Sequence, residues 1–182
     1  AGTQLLDQAV AAYRAALTVQ TKQAFPLDWA TTQDNLGTLL SYQGKHVIGT
    51  ESLHLLQTAE TAYRNALTVY SKTTLPLEWA RTQHNLGLVL SQQYTSKGGE
   101  AGAQLLEQAT AAYRAALTVR TKEQLPQQWA MTQTNLGNVL QAQGTRTGGE
   151  PGTQLLAQAV EAYGAALTVC TKDTLPEQWA GI

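Results

Sequence analysis

The 182-residue chain is expected to be all-α, an α-solenoid of antiparallel helical hairpins, on three observations. First, landmark residues recur 50 apart: Pro26, Pro76, Pro126 and Pro176; Trp29, Trp79, Trp129 and Trp179; Tyr13, Tyr63, Tyr113 and Tyr163. Residues 103–130 and 153–180 share 19 identities in 28 positions. A fixed period of this size marks an array in which each unit buries its apolar face against the next. Second, apolar residues inside a unit recur at spacings of three and four, as in amphipathic helices. Third, nothing alternates apolar and polar with period two for long, so no strand pattern competes.

Each unit reads as two helices. The first runs from Pro76 through Trp79, Gln83, Leu86, Gly87 and Leu90 to about Gln93. Proline suits a first helical turn, where its missing N–H costs nothing. Asp28, Glu78 and Glu177 follow on the side that the helix dipole favours. The second helix is expected from about Ala103 to Lys122, with an apolar stripe of Leu105, Leu106, Ala109, Tyr113, Ala116 and Leu117. Lys22, Lys72, Lys122 and Lys172 are placed in its last turn, where a cation is favoured. Gly98-Gly99 and Gly148-Gly149, with Gly44 and Gly49, are read as breaks between the helices. The whole is one repeat domain: a lone helix at 3–22, hairpins at 26–72, 76–122 and 126–172, and a truncated helix start at 176–182. The chain begins without Met and reads as an excised piece of a longer array. Uncapped ends leave apolar surface, so end-to-end self-association of 176–182 with the helix at 3–22 of another copy is expected.

These residues resemble a tetratricopeptide repeat (TPR). Leu36-Gly37, Leu86-Gly87 and Leu136-Gly137 match its Leu-Gly pair; Ala59, Tyr63 and Ala66, with Ala9, Tyr13, Ala16, Ala109, Tyr113, Ala116, Ala159, Tyr163 and Ala166, match the Ala-x-x-x-aromatic trio of its second helix. The usual unit has 34 residues. Here about ten extra residues are expected between the helices and about six before the next unit. Gln33, Gln83 and Gln133 replace the usual Trp, and Leu40, Leu90 and Leu140 the usual Tyr. The pattern Pro-x-x-Trp-Ala-x-Thr-Gln-x-Asn-Leu-Gly is similar to long bacterial TPR units and kinesin-light-chain repeats. The resemblance implies a right-handed superhelix and a protein-interaction role.

It also implies a concave groove lined by the first helices. The groove positions would be Thr31, Asp34, Asn35, Thr38, Ser41 and Tyr42; then Arg81, His84, Asn85, Leu88, Ser91 and Gln92; then Met131, Thr134, Asn135, Asn138, Gln141 and Ala142. Asn35, Asn85 and Asn135 precede each Leu-Gly without varying. An amide offers an acceptor and two donors, so such a row can pair with a peptide backbone, or it can bond the neighbouring helix. It resembles the asparagine ladder of some peptide-binding superhelical TPR proteins. A carboxylate clamp would need Lys or Arg one turn before each Asn, and only Arg81 among Thr31, Arg81 and Met131 qualifies. Arg14, Arg64 and Arg114 are expected on a solvated outer face or packed along an adjacent helix, and Trp29 and its repeats in the core.

Composition narrows the alternatives. Twelve Lys and Arg balance 13 Asp and Glu, which argues against a nucleic-acid platform. No run of 18 apolar residues suggests a membrane span. One Cys, Cys170, forms no internal disulfide and no metal cluster. His46, His54 and His84 fall at different repeat positions without acidic or Cys partners and are read as solvated. The glycine pairs lack the Lys and Ser/Thr of a phosphate loop. No catalytic constellation, metal or cofactor is therefore expected, and the chain reads as a cytoplasmic, non-enzymatic scaffold for a protein or peptide partner. The other class that fits is a structural spacer or self-assembling segment that holds no small ligand. Thr and Gln, 25 and 21 of the residues, are read as a polar surface made with few charges.

Overall fold

A computed structural model describes residues 2–95, 97–171 and 180–181. Among these are seven helices and no strand: α1 (Gly2–Val19), α2 (Pro26–His46), α3 (Gly49–Ala66), α4 (Pro76–Tyr94), α5 (Gly99–Leu117), α6 (Pro126–Thr147) and α7 (Gly149–Leu167). Helices pack on their neighbours in sequence. The pairs α2–α3, α4–α5 and α6–α7 are the most extensive, α1–α2, α3–α4 and α5–α6 come next, and slighter contacts join α2 to α4 and α4 to α6.

Pro26, Pro76 and Pro126 each open a helix. A side-chain oxygen in the preceding turn organises the entry: Thr21 Oγ1 accepts from the Ala24 N–H, Ser71 Oγ from Thr74, and Thr121 Oγ1 from Gln124. The second helices end sooner than expected, at Ala66, Leu117 and Leu167, so the lysines lie beyond the last turn. Lys22 and Lys122 instead stand over the rings of Trp29 and Trp129, at 5.8 and 6.0 Å from the centroids. Cation and ring attract there, which the helix dipole alone did not anticipate. Lys172, Pro176 and Trp179 fall outside the described residues, as does most of the expected helix start at 176–182.

The extra residues before the next unit do form a longer connection, 67–75 and 118–125, but those inside the hairpin do not lengthen a loop. They lengthen the helices, leaving only one or a few residues between α2 and α3, α4 and α5, and α6 and α7. Gly44 does not break α2; it sits inside it, where a Cβ would fall 3.0 Å from Leu56. The breaks are at Gly49, Gly99, Gly148 and Gly149, whose φ values of +74°, +61°, +65° and +59° disfavour side chains.

The core is built on one contact used three times. Gly37, Gly87 and Gly137 lie against the rings of Tyr63, Tyr113 and Tyr163, at distances where a Cβ would be 2.9, 2.9 and 2.6 Å from the ring. As residue numbers rise along α2 their α3 partners fall: Gly37 meets Tyr63, and Gly44 meets Leu56 and accepts from Ser52 Oγ at its carbonyl. The two helices therefore run in opposite directions. Tyr63 and Tyr113 are fully buried, and each such aromatic contributes roughly 1.5–3 kcal/mol. Each also points its hydroxyl at a first helix, Tyr63 donating to Thr38 and Tyr113 bonding Ser91, and the less buried Tyr163 donates to Asn138. The tryptophans leave this main core. Trp29 and Trp79 pack with Ala30, Ala66 and Tyr70 in a smaller cluster, and Trp129 with Ala130, Ala166 and Cys170 in another.

The close approach gives a paired test. Gly→Ala inside a helix ordinarily stabilises by about 1 kcal/mol. Gly87→Ala is expected to lower the urea midpoint instead, because its Cβ meets the buried Tyr113 ring and overpacking costs about 1–3 kcal/mol. Gly164→Ala in α7, where no described atom stands within 4 Å, is expected to stabilise by about 0.5–1 kcal/mol.

Candidate functional site

The invariant threonines come first, because they tie one unit to the next. Thr82 on α4 is fully buried and its Oγ1 donates to Asp34 Oδ1 of α2 at 2.6 Å, with the Glu78 carbonyl at 2.8 Å as its alternative acceptor. One unit on, Thr132 of α6 lies 3.0 Å from His84 Nδ1 of α4. Thr132 gives its own proton to the Gln128 carbonyl at 2.6 Å, so His84 must donate through Nδ1–H. Arg120 Nη1 also donates to Thr132, at 3.0 Å, and Thr32 donates to Gln20 Oε1 at 2.6 Å.

Two of the expected groove residues are thereby withdrawn from the surface. Asp34 is 0% exposed and His84 is 4% exposed. They sit one position before the asparagines, and that turn of the helix carries them under the next unit. The expectation of a solvated histidine is corrected for His84, while His46 and His54 are exposed, His46 tilted against Tyr42 with ring centroids 4.4 Å apart. Desolvation raises the Asp34 carboxyl above its ordinary value, against the Thr82 hydrogen bond and the charge of Arg81. Arg81 Nη2 lies 3.0 Å from Asp34 Oδ2, but without hydrogen-bond geometry, so charge alone holds that oxygen. Desolvation, with Arg120 adding to it, lowers His84 to about 3, so the ring is neutral near pH 7.

Ser41 is buried as well, and the remaining expected positions stay at or near the surface. Thr31, Thr38, Arg81, Met131 and Asn138 are exposed, and Asn35, Asn85, Asn135 and Thr134 are half-buried. Thr31 bonds the Tyr70 hydroxyl at 2.9 Å, and Thr38 and Thr134 return their hydroxyl protons to the carbonyls of Asp34 and Ala130. No side-chain hydrogen bond from the described residues engages Asn35, Asn85 or Asn135. Asn135 and Asn138 line a cleft of about 280 Å³ with Leu88 and Ser91 of α4, floored by Tyr113.

The second helices carry cross-links of their own. Arg64 Nη2 donates to Gln108 Oε1 at 2.6 Å and Arg114 Nη2 to Gln158 Oε1 at 2.8 Å, both across one unit. Gln93 Nε2 donates to Glu60 Oε2, and Gln143 Oε1 accepts from Thr110. Arg14 has Thr58 where its equivalents have glutamine, so no such staple forms. A cleft of about 1000 Å³ opens there, with Leu6, Val10, Leu40 and Leu55 in its lining and Asp7, Arg14, His46 and Glu51 alongside them.

Among the described residues no group of three or more His, Cys, Asp or Glu could hold a metal ion, and no helix is long and apolar enough to cross a membrane. Cys170 is buried against Ala130 and Ala166, which pushes its thiol up. The sequence reading missed Arg120, Tyr70 and the threonine row. The signal was present: Thr32, Thr82 and Thr132 never vary, nor do Gln43, Gln93 and Gln143.

The buried ring makes stability acid-sensitive. An unfolded His takes a proton below about pH 6.5 that the folded site refuses until about 3, so its contribution is complete above pH 6.5 and lost as pH falls. Asp34 has the opposite sign, because a raised carboxyl loses stability as pH rises through its folded value. From pH 7 to pH 5 the unfolding free energy measured in urea should fall for the wild type by about 2 kcal/mol more than for His84→Asn, which keeps a donor toward Thr132. Parallel falls in the two proteins would exclude this role.

Compared with known proteins, the chain matches no protein-family model, and no curated protein matches it.

Proposed function

We propose that the chain is a protein-interaction scaffold, a TPR-like α-solenoid of hairpins whose first helices α2, α4 and α6 hold an extended peptide or partner helix. The observation that carries this reading is the asparagine row. Asn35, Asn85 and Asn135 occur once per unit, are half-buried, and leave their amides free of the described protein groups, while Asp34 and His84 beside the first two are committed to inter-unit bonds. A half-buried amide without a partner gains from an incoming backbone N–H and C=O. The cleft at Asn135 and Asn138 supplies relief and apolar contact beside one member of the row. Exposed Thr38, Arg81, Met131 and Asn138 vary between units and would set sequence preference. The reading is non-enzymatic and needs no cofactor, and it suits a cytoplasmic protein.

A second reading, a spacer or self-assembling segment, draws on the apolar side chains at both terminal helices. Leu5 and Val19 on α1 are 65% and 71% exposed, and Val160 on α7 is 69% exposed. Light scattering across a concentration series tests it, with mass rising toward multiples of 19.6 kDa as the expected outcome. A constant monomer mass would remove this reading.

For the groove, the triple variant Asn35→Ala, Asn85→Ala, Asn135→Ala is expected to keep its helical circular dichroism and lose binding to a partner captured with the wild type. Unchanged affinity would eliminate the asparagine row as the binding element.

A further inference from the structure

The junction of α1 with α2 and α3 is bridged differently from the two that follow. In the later ones a first-helix glutamine crosses to the second helix before it. Gln93 Nε2 donates to Glu60 Oε2 at 2.7 Å, and Gln143 Oε1 accepts from Thr110 at 3.0 Å. Val10 holds the equivalent place on α1 and offers no side-chain polar atom. Gln43 reaches one helical turn further along α1 and donates to Asp7 Oδ1 at 2.7 Å. The arginine staple is missing as well, because Thr58 stands where Gln108 and Gln158 receive Arg64 and Arg114. With the one bridge displaced and the other absent, the cleft of about 1000 Å³ opens over Val10, Leu40 and Leu55. Asn35, Asn85 and Asn135 do not line it.

The charges in this lining are sorted by end. Both staples join residues 44 apart, and that register sets Asp7 level with Glu51 and Arg14 level with Thr58. Asp7 and Arg14 are separated by two turns of α1, about 10 Å along its axis. Asp7, Arg14 and Glu51 are exposed, and neither Arg14 nor Glu51 bonds or pairs with another described residue. Acid at one end, a guanidinium at the other and an apolar floor between them make a cleft with a direction. Neither later junction repeats it, because Asp7 and Glu51 give way to Gln57 and Ala101, then to Glu107 and Pro151.

We propose that this cleft binds an elongated small molecule with an ammonium group at one end, an alkyl body and a carboxylate at the other. Asp7 and Glu51 receive the ammonium, Arg14 holds the carboxylate, and Val10, Leu40 and Leu55 cover the body. Small-ligand sites present this combination: a cleft of comparable volume, mostly apolar walls and a few converging polar groups. Apolar burial supplies affinity without direction. The opposite charges at the two ends fix which way the ligand lies and how long it must be. The site is independent of the asparagine row and of any peptide held there.

The test is an NMR titration of the full chain, read from backbone amide shifts. The probes are ω-aminooctanoate, octanoate and octylamine, all below their micelle concentrations, with ω-aminobutanoate as a ligand too short to join the two ends. ω-Aminooctanoate is expected to bind about tenfold tighter than octanoate or octylamine, and tighter still than ω-aminobutanoate. Its shifts should centre on Val10, Gln43 and Leu55. Two variants address the ends separately. Thr58→Gln, which copies the Arg64–Gln108 staple, should occupy Arg14 and cut the advantage over octylamine. Glu51→Gln should cut the advantage over octanoate. Helical circular dichroism checks that both variants remain folded, and the wild-type titration is decisive without them. Shifts outside the cleft, or none from any probe, would overturn the site. Octanoate or octylamine binding as tightly as ω-aminooctanoate, or an advantage that survives either variant, would do the same. All of these outcomes leave the peptide groove to its own test with the triple asparagine variant.

Discussion

The fold depends on a glycine meeting a tyrosine. At Gly37, Gly87 and Gly137 the absence of a Cβ lets an aromatic ring lie directly on a helix backbone, and everything else is arranged around that spacing. The ring can be a tyrosine because its hydroxyl emerges at the far side, where Thr38 or Asn138 receives it. The pairing sets how near two consecutive helices stand. Alanines at Ala59, Ala109 and Ala159 then fill the remaining interior with little bulk. The abundance of alanine follows from this close packing.

A second principle governs how units meet one another. Beside an apolar core that runs through all the units, polar and directional contacts join them: threonine to aspartate or histidine between first helices, arginine to glutamine between second helices, and glutamine reaching back to Glu60 or Thr110. Buried polar groups without partners would be costly, so these bonds specify register as well as hold it. Where one member changes, the interface changes with it. Thr58 in place of glutamine leaves Arg14 unstapled beside the cleft of about 1000 Å³, and Arg120 in place of Tyr70 brings positive charge to the middle of the three threonine-linked units.

The period and the helix starts at Pro26, Pro76 and Pro126 were legible in the residues, because each is a local rule repeated until it stands out, whereas the meeting of each glycine with a tyrosine some 26 positions on was not. The helix ends were less legible. Lys22 and Lys122 satisfy a dipole argument and a cation–π argument equally well in one dimension, and only the placement of Trp29 and Trp129 separates them. Gly44 looked like a break until the neighbouring Leu56 gave it a reason to lie within a helix. The candidate site divided in the same way. Asn35 and Asp34 are adjacent, yet one borders the surface and the other is sealed beneath the following unit. That distinction depends on the angle at which successive units cross, which periodicity does not encode. Thr and Gln read as a polar exterior, yet Thr82, Thr110, Thr132 and Gln93 are internal fastenings.

The reach of these fastenings carries a further consequence. The side-chain links between units join residues no more than 48 positions apart, scarcely one period. Closing so short a loop costs little chain entropy, and no segment must wait for a distant part of the molecule before its contacts form. Such a chain can begin to order at any unit and grow outward, and it can also come apart from an end while the middle persists. Rigidity in such a chain is greatest where a unit has neighbours on both sides, as α4 and α5 have here.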